Sequence, residues 1–173
     1  MGGPMAANLL DAGFEVVGFD VVPAALERLS ATGGTVASSP GQAAAEADVV
    51  ITMLPNHPQV EAVALGDGGV LDSAKPGTLY IDMSSIRPET ARGLAAAGAA
   101  RGIRVLDAPV SGGEKGAVDG VLSIMVGGGA EDFSAAQAVF GPLGRAVHVG
   151  PAGSGQTVKA ANQLVVGGTY ALV

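Results

Sequence analysis

The chain has 173 residues, 48% of them hydrophobic and 14% charged, which suffices for the core of one domain with room for a piece of a second. Its net charge of −7 disfavours nucleic acid and anionic membrane as partners, because both repel an acidic surface. The sequence has no cysteine, which excludes disulfides, thiolate nucleophiles and thiolate metal sites.

The two ends of the chain both look cut. Residues 1–10 are typical of a helix already under way, whereas a doubly wound α/β fold should open with a strand and a glycine-rich turn. Residues 153–173 are apolar nearly all round, so a helix there would need cover from further protein. We therefore expect a fragment of a longer protein. The start lacks a basic signal-peptide region and no apolar run reaches the roughly 18 residues of a membrane span, which favours a cytoplasmic enzyme-like domain.

Apolar runs alternate with alanine-rich stretches along the whole chain. The runs predict strands at residues 15–19, 48–54, 78–81, 103–106, 123–126 and 146–149, and the stretches between them predict helices at 23–31, 88–101 and 131–140. The continuous run at 48–54 is typical of a buried parallel strand. This alternation predicts parallel strands joined by right-handed crossovers, that is, an α/β, doubly wound, mainly parallel sheet.

A single lysine lies in the apolar stretch near the end of the sequence. Lys159, Asn162 and Gln163 are spaced i, i+3 and i+4, which places them on one face of a helix. An ammonium group beside two neutral amides suits proton transfer at a carbonyl. The apolar neighbours predict a lowered pKa and a catalytic role for Lys159. The alternative is a solvated helix lysine.

The beginning of the chain contains what could be the tail of a dinucleotide-binding fingerprint. Gly2 would be its third glycine, where close packing of helix on strand excludes a side chain. Asp20, at the end of the following strand, could accept hydrogen bonds from an adenosine ribose, and a carboxylate there favours NAD over NADP. The spacing equally permits a loop glycine at position 2 and a helix-capping role for Asp20.

Three polar turns follow predicted strands, at residues 54–56, 82–85 and 111–113. Ligands of doubly wound folds bind at the carboxyl ends of the strands, so one sheet edge would gather these turns. The hydroxyl groups of 82–85 could meet ribose or nicotinamide, and the consecutive backbone N–H groups of 111–113 could form an anion-binding concavity. Each of the three could also be an ordinary turn.

These stretches together resemble the β-hydroxyacid dehydrogenase family, within the 6-phosphogluconate dehydrogenase-like group, over nearly the whole chain. The resemblance rests on residues 1–9, 51–56, 63–66, 75–78, 81–86, 107–113, 122–128 and 153–163. Its most specific motifs are Asp-Ala-Pro-Val-Ser-Gly-Gly at 107–113 and Lys-x-x-Asn at 159–162. Met-Leu-Pro-Asn at 53–56 and Asn-Gln at 162–163 are more similar to the 2-hydroxy-3-oxopropionate (tartronate semialdehyde) reductase branch than to the 3-hydroxyisobutyrate dehydrogenase branch.

The resemblance implies an NAD(P)H-dependent oxidoreductase that interconverts a small carboxylated aldehyde and its hydroxy acid. Tartronate semialdehyde, reduced to glycerate, is the first expectation; 3-hydroxyisobutyrate dehydrogenase and succinic semialdehyde or glyoxylate reductase are alternatives, and an inactive nucleotide-binding fragment is the non-enzyme alternative. Residues 1–152 would form a Rossmann-like NAD-binding domain without its first strand. Residues 153–173 would begin an all-helical second domain, through which the parent protein forms a homo-oligomer. NAD is the expected cofactor, with NADP possible, and no metal is needed.

The resemblance also implies roles for individual residues. Lys159 corresponds to the catalytic lysine, Asn162 to a residue that positions the substrate, and Gln163 to its amide neighbour. Ser111, Gly112 and Gly113 would hold the substrate carboxylate, whose charge the helix N-terminus at 153–155 would also offset. The expected cofactor contacts are Gly2, Pro4, Met5, Asp20, Leu54, Pro55, Asn56 and Ser85. Asp82 and Asp107, which end predicted strands, are interpreted as bonding local backbone.

Overall fold

The computed structural model describes residues 1–171, with side chains described as far as Thr169. The helices are α1 (Gly2–Asp11), α2 (Pro23–Ala31), α3 (Pro40–Ala44), α4 (His57–Leu65), α5 (Val70–Ser73), α6 (Pro88–Ala99), α7 (Gly113–Val118), α8 (Ala130–Ala135), α9 (Gln137–Phe140) and α10 (Ser154–Ala171). The strands are β1 (Val17–Gly18), β2 (Thr35–Val36), β3 (Val49–Thr52), β4 (Leu79–Asp82), β5 (Arg104–Asp107), β6 (Val110–Ser111), β7 (Leu122–Gly127) and β8 (Gly144–Gly150).

Six of the strands form one mixed, mainly parallel sheet. β3, β4 and β5 are parallel neighbours in a register that aligns Thr52 with Asp82 and Asp82 with Asp107. β7 then runs antiparallel to β5 and β6, and β8 pairs in parallel with the other edge of β7. The expected α/β class with a mainly parallel sheet is confirmed.

The expected parallel connection does not hold between β6 and β7, which run antiparallel to each other. Only residues 112–121 connect these two strands. A parallel crossover needs a dozen or more residues, so a connection of this length returns the chain in the opposite direction. Gly112, Gly113 and Gly120 all have positive φ angles in this segment, which supplies the tight reversals.

β1 and β2 form a separate two-stranded parallel sheet. Within residues 1–171 this pair makes no ladder with β3. Phe14 and Val16, just before β1, nevertheless pack against the same hydrophobic core as Val49 and Ile51 of β3. The two sheets therefore share one side of the domain without being hydrogen-bonded to each other.

The core lies on both faces of the six-stranded sheet, as in a doubly wound fold. Successive residues of β4 alternate between the two faces: Leu79 and Ile81 join a cluster with Met5 of α1, whereas Tyr80 joins a cluster with Leu94 of α6. All four residues of β4 are buried. This central strand therefore ends, at Asp82, inside the protein.

The helix predictions were accurate where local signals were strong. The helix predicted at 23–31 matches α2, which begins with Pro23 in its first turn. The helix predicted at 131–140 is two short helices, α8 and α9, which meet at Ala136. Among the residues that the structure describes, no helix combines the length and the apolarity that crossing a membrane requires.

Candidate functional site

The carboxyl ends of β3, β4 and β5 present a row of buried polar side chains, Thr52, Asp82 and Asp107, which we call the strand-end cluster. Register partners on parallel strands project to the same face, so the alignment of these three residues places them side by side. The Thr52 hydroxyl donates to Asp82 Oδ1 at 2.7 Å and is hydrogen-bonded to the Tyr80 hydroxyl at 2.9 Å. Thr52 and Tyr80 were not predicted as site residues, because a hydroxyl within an apolar run carries no signal of its own.

Asp82 is an unusual carboxyl in this cluster, because it is only 1% exposed. Its Oδ1 accepts from Thr52 and, at 3.3 Å, from the Ser84 N–H. Among the described side chains, its Oδ2 is the one buried nitrogen or oxygen without a hydrogen-bond partner. Burial raises the Asp82 pKa to about 6, against the lowering effect of the bonds from Ser84 and Thr52. Asp82 can therefore carry a proton in mildly acidic solution. Burial, and then the charge of Asp82, also raise the pKa of Tyr80.

Asp107 binds the N-terminus of α10. Its Oδ1 accepts from the Gly153 N–H at 2.7 Å, and its Oδ2 accepts from the Gln156 N–H at 3.0 Å. The first N–H groups of a helix have no partner within the helix, and a carboxylate beside them is favoured by the helix dipole. Burial raises the pKa of Asp107, against the lowering effect of these backbone bonds.

Two expectations about this region are therefore wrong. The carboxyl of Asp107 bonds backbone groups 46 and 49 residues away, so its bonds are not confined to local backbone. The N-terminus of α10 directs its N–H groups at Asp107, so these groups are not available to offset the charge of a substrate carboxylate. The sequence could not show this, because the two segments meet only through the fold.

Glycines allow α10 to approach the sheet this closely. A Cβ atom on Gly155 would lie 2.4 Å from the Met125 carbonyl oxygen and 2.7 Å from the Asp107 carbonyl oxygen. One on Gly127, at the end of β7, would lie 2.8 Å from the Gly155 nitrogen. Real Cβ contacts essentially never fall below 3.0 Å. Gly155 of the Lys159 motif thus serves packing of helix against strand, whereas Gly153 has a positive φ of 87° and lies against Arg92 of α6.

Gln156 ties α10 to the turns after β3 and β4. Its side chain is buried, its Nε2 donates to the Ser84 carbonyl at 2.9 Å, and its Oε1 accepts from the Ile86 N–H at 3.0 Å. The Ser84 hydroxyl in turn accepts from the Leu54 N–H at 2.9 Å. Gln156 was not predicted as a site residue, although its position three residues before Lys159 was a usable signal.

Lys159 lies one helical turn beyond Gln156. Its Nζ donates to Gln163 Oε1 at 2.9 Å, and Asn162 Nδ2 donates to the same oxygen at 3.1 Å. The prediction that these three side chains share one helix face is confirmed. Partial burial lowers the Lys159 pKa, which confirms the predicted direction.

The predicted cofactor residues of α1 lie at the start of that helix. A Cβ on Gly2 would lie 3.8 Å from the Met53 Cβ, an ordinary van der Waals distance, so the expectation that close packing excludes a side chain there is wrong. Pro4 is partly buried, and Met5 is in the core with its N–H bonded to the Met1 carbonyl, so the structure does not support the predicted cofactor contact of Met5. The helix has no side-chain N-cap and no acidic residue in its first turn. These features fit a cofactor pyrophosphate, which binds at uncapped, glycine-lined helix N-termini.

The other predicted cofactor residues lie in turns that follow strands. Asp20 is exposed after β1, and its Oδ1 accepts from the Val22 N–H at 2.9 Å, which leaves the second oxygen available to a ribose. Leu54 is partly buried and Pro55 is exposed in the turn after β3. Asn56 caps α4 through the His57 N–H at 2.8 Å. Ser85 is exposed beside the buried Ser84.

The predicted substrate-binding turn lies after β6. Ser111 is partly buried and pairs with Ser123 of β7, and Gly112 and Gly113 are exposed with φ angles of 140° and 63°. An ideal Cβ on Gly113 would meet no atom within 4 Å. Within residues 1–171, no hydrogen bond joins this turn to Lys159, Asn162 or Gln163.

The two histidines are far from forming a metal site. The imidazole of His57 is bonded to Asn56 at 2.7 Å, and that of His148 to the Gly128 carbonyl at 2.9 Å. In the described part of the chain, no group of three or more His, Asp or Glu side chains is arranged to hold a metal ion.

Comparison with known proteins identifies the family. Residues 1–150 match the NAD binding domain of 6-phosphogluconate dehydrogenase. The chain is 49% identical to a 3-hydroxyisobutyrate dehydrogenase and 47% identical to an NAD-dependent L-serine dehydrogenase, both of Pseudomonas aeruginosa; the matches cover 96% and 94% of this chain but 56% and 55% of those proteins. The structure of Mycobacterium tuberculosis 3-hydroxyisobutyrate dehydrogenase with L-serine superposes with a TM-score of 0.92 at 44% identity, over 96% of this chain and 56% of that one.

The chain thus spans about half the length of the curated relatives it matches. The family match covers the sheet, the strand-end cluster and the turns predicted to contact a cofactor. The chain therefore belongs to the 6-phosphogluconate dehydrogenase-like, or β-hydroxyacid dehydrogenase, family, and it contains that family's NAD-binding domain.

Proposed function

We propose that the whole protein is an NAD-dependent dehydrogenase of a small β-hydroxy acid. The observation that carries this proposal is the placement of Lys159. Its partly buried amine lies on a helix whose first turn is hydrogen-bonded to the carboxyl ends of the strands in an NAD-binding domain. The carboxyl ends of parallel strands are where doubly wound folds bind their ligands.

The proposed chemistry divides between cofactor and protein. NAD, when bound, would supply the hydride acceptor for the carbon that bears the substrate hydroxyl. The neutral amine of Lys159 takes the hydroxyl proton as that carbon becomes a carbonyl, and the ammonium returns it in the reverse direction. The lowered pKa increases the fraction of neutral amine at a given pH, which favours the oxidation. Among the described residues, Lys159 is the lysine whose amine lies beside two side-chain amides, those of Asn162 and Gln163.

Other residues hold the two ligands. We assign Asn162 to positioning the substrate oxygen and the turn of Ser111, Gly112 and Gly113 to its carboxylate. Consecutive glycines with positive φ expose backbone N–H groups that can converge on an anion. The start of α1 would receive the pyrophosphate, and Asp20 the adenosine ribose. Leu54, Pro55, Asn56 and Ser85 complete the proposed cofactor contacts.

Three substrates are candidates for this site. The names of the relatives favour 3-hydroxyisobutyrate and L-serine, and the M. tuberculosis enzyme was solved with L-serine. The motifs at 53–56 and 162–163 favour tartronate semialdehyde instead. 3-Hydroxyisobutyrate, L-serine and glycerate, the reduced form of tartronate semialdehyde, each carry a carboxylate and a hydroxyl on the β-carbon. They differ by small groups, which a pocket distinguishes by only about 1–3 kcal/mol.

We also propose the division of the chain at residue 152. The family match ends at residue 150, and α10 begins at Ser154, which supports a boundary between the two. The remainder of a helical second domain would complete the substrate pocket and build a homo-oligomer. Exposed Leu164 and Val165 on α10 support a role for that helix in such packing.

The test is a substrate panel on the whole protein, with NAD and NADP. We would measure kcat/KM for 3-hydroxyisobutyrate, L-serine and glycerate, and for the hydroxy acids of succinic semialdehyde and glyoxylate. A preference of about tenfold or more for one substrate identifies it, since tenfold corresponds to about 1.4 kcal/mol. Binding of NADH without turnover of any of them would favour the non-enzyme alternative.

The role of Lys159 is tested in the same assay. Lys159→Ala should lower kcat by at least about 10²-fold with the KM for NAD nearly kept, because proton transfer typically contributes roughly 10²–10⁴-fold. Lys75→Ala is the matched control, since Lys75 is exposed, pairs with Glu46 and lies before β4 at the opposite edge of the sheet. A Lys159→Ala enzyme with nearly normal kcat would remove this lysine from the chemistry.

A further inference from the structure

We propose that Gln156 is a positioning residue: its side-chain amide fixes the rotation of α10 about its axis and so sets where the Lys159 amine lies relative to the turn after β4. This inference rests on the proposed function, because it concerns the placement of the group that transfers the proton. Gln156 contacts neither substrate nor cofactor in the proposed site, so it would act only through Lys159.

Gln156 makes three hydrogen bonds in two directions. Its backbone N–H donates to Asp107 Oδ2 at 3.0 Å, toward the end of β5. Its side chain donates to the Ser84 carbonyl at 2.9 Å and accepts from the Ile86 N–H at 3.0 Å, toward the turn that contains Ser85. The residue is only 2% exposed. It is thus the point at which α10 meets two strand ends at once.

The two kinds of bond constrain the helix differently. Asp107 bonds backbone N–H groups in the first turn of α10, and Gly155 packs closely on β7, so the start of the helix is held against the sheet. The amide of Gln156 extends sideways from that turn to the loop after β4, and it opposes rotation of the helix relative to that loop. Lys159 is three residues on, so it lies on the same face and moves with any such rotation.

A glutamine suits this position because the loop offers one acceptor and one donor. The Ser84 carbonyl is buried and the Ile86 N–H is partly buried, so both need partners, and a primary amide supplies a donor and an acceptor together. An apolar side chain of similar size would fill the space but leave both backbone groups unpaired. The expected result is a loop and a helix that no longer hold a single relative position.

The experiment compares Gln156→Met and Gln156→Glu in the whole protein, with Gln137→Glu as the exposed control on α9. Gln156→Met should lower kcat about 10²-fold at every pH with the KM for NAD nearly unchanged, because misplacing a reacting group by about 1 Å costs that much. Gln156→Glu should depend on pH. A protonated Glu can donate to the Ser84 carbonyl and accept from the Ile86 N–H, whereas a carboxylate cannot donate.

The surroundings of position 156 favour the protonated form of a Glu there. The charged or titratable groups on the surrounding elements are Asp107 on β5, Asp82 on β4, Arg92 on α6 and Lys159 on α10; Arg92 lies beside Gly153 and pairs with Glu89 at 3.0 Å. Burial and the two aspartates raise the pKa of a carboxyl placed there, against the lowering effect of the Lys159 and Arg92 charges. The kcat of Gln156→Glu relative to wild type should therefore be near one at about pH 6 and fall at least about tenfold by about pH 9.

A purely structural role would not produce this pattern. If circular dichroism shows both variants folded at both pH values, a kcat of Gln156→Met within about threefold of wild type overturns the proposal. A pH-independent ratio for Gln156→Glu, or a KM for NAD that rises as much as kcat falls, overturns it as well. Gln137→Glu should match wild type throughout.

Hydrogen exchange separates this inference from the proposed function. In Gln156→Met the backbone amides of residues 157–163 should exchange at least about tenfold faster than in wild type, whether or not the protein turns over a β-hydroxy acid. Wild-type protein without dehydrogenase activity would refute the proposed function alone. Unchanged exchange in this segment would refute the positioning role, whatever the activity.

Discussion

Replacing Asp82 with asparagine should change how the stability of the fold depends on pH. The carboxyl group is buried at the end of the central strand, with one oxygen bonded to Thr52 and the Ser84 N–H and the other without a partner. Its pKa is about 6 in the folded chain, against 3.8 for the ordinary side chain. Asparagine keeps the shape and the accepting oxygen but cannot ionise.

The sign and size of the effect follow from proton linkage. Between pH 3.8 and pH 6 the unfolded chain releases a proton that the folded chain retains, so the wild-type free energy of unfolding falls as pH rises. The raised pKa of Asp82 contributes fully to the free energy of unfolding below pH 3.8. This contribution, about 3 kcal/mol in all, is lost as the pH rises through 6. About 1.4 kcal/mol of this loss falls between about pH 5 and pH 8. The side-chain nitrogen of the introduced asparagine would itself lack a partner, at a cost of about 1–3 kcal/mol, but that cost does not vary with pH.

Urea unfolding of the 173-residue chain at pH 5 and pH 8 would measure this. The free energy of unfolding of Asp82→Asn minus that of wild type should be about 1.4 kcal/mol higher at pH 8 than at pH 5. Asp67→Asn, at an exposed loop position, is the matched control and should show the same difference from wild type at both pH values. If Asp82→Asn behaves like that control, Asp82 titrates normally and the reasoning from burial is refuted.

Two further predictions test the close approach of α10 and the choice of cofactor. Gly155→Ala should lower the free energy of unfolding by about 1–3 kcal/mol, because its Cβ would lie 2.4 Å from the Met125 carbonyl oxygen. Gly167→Ala is the control on the same helix. Its Cβ would meet no atom within 4 Å, so this variant should raise the free energy of unfolding by about 0.5–1 kcal/mol. Equal effects in urea unfolding would show that the helix can shift to make room. Asp20→Ser should raise the ratio of kcat/KM for NADP over NAD by about tenfold, or about 1.4 kcal/mol, since it removes both a ribose acceptor and a charge that repels a 2′-phosphate. An unchanged ratio would mean that Asp20 serves only to accept the Val22 N–H.

Local features of this protein were predictable because their causes are local. The apolar run at 48–54 contains β3, and Pro23 marks the beginning of α2, since the proline ring already holds the backbone angle of a first helical turn. Lys159, Asn162 and Gln163 share a face because of helix periodicity alone. The roles of the site residues and the boundary at residue 152 remain predictions.

The fold class, the alternation of elements and the face that carries Lys159 follow from the sequence alone, because backbone sterics and side-chain periodicity act over a few residues. The bonds of Asp107 to the start of α10, and of Gln156 to a loop 70 and 72 residues earlier in the chain, arise from tertiary packing. Sequence patterns cannot select such partners. They are selected when packing buries polar groups at a common edge, where each must find whichever donor or acceptor the fold has brought within about 3 Å.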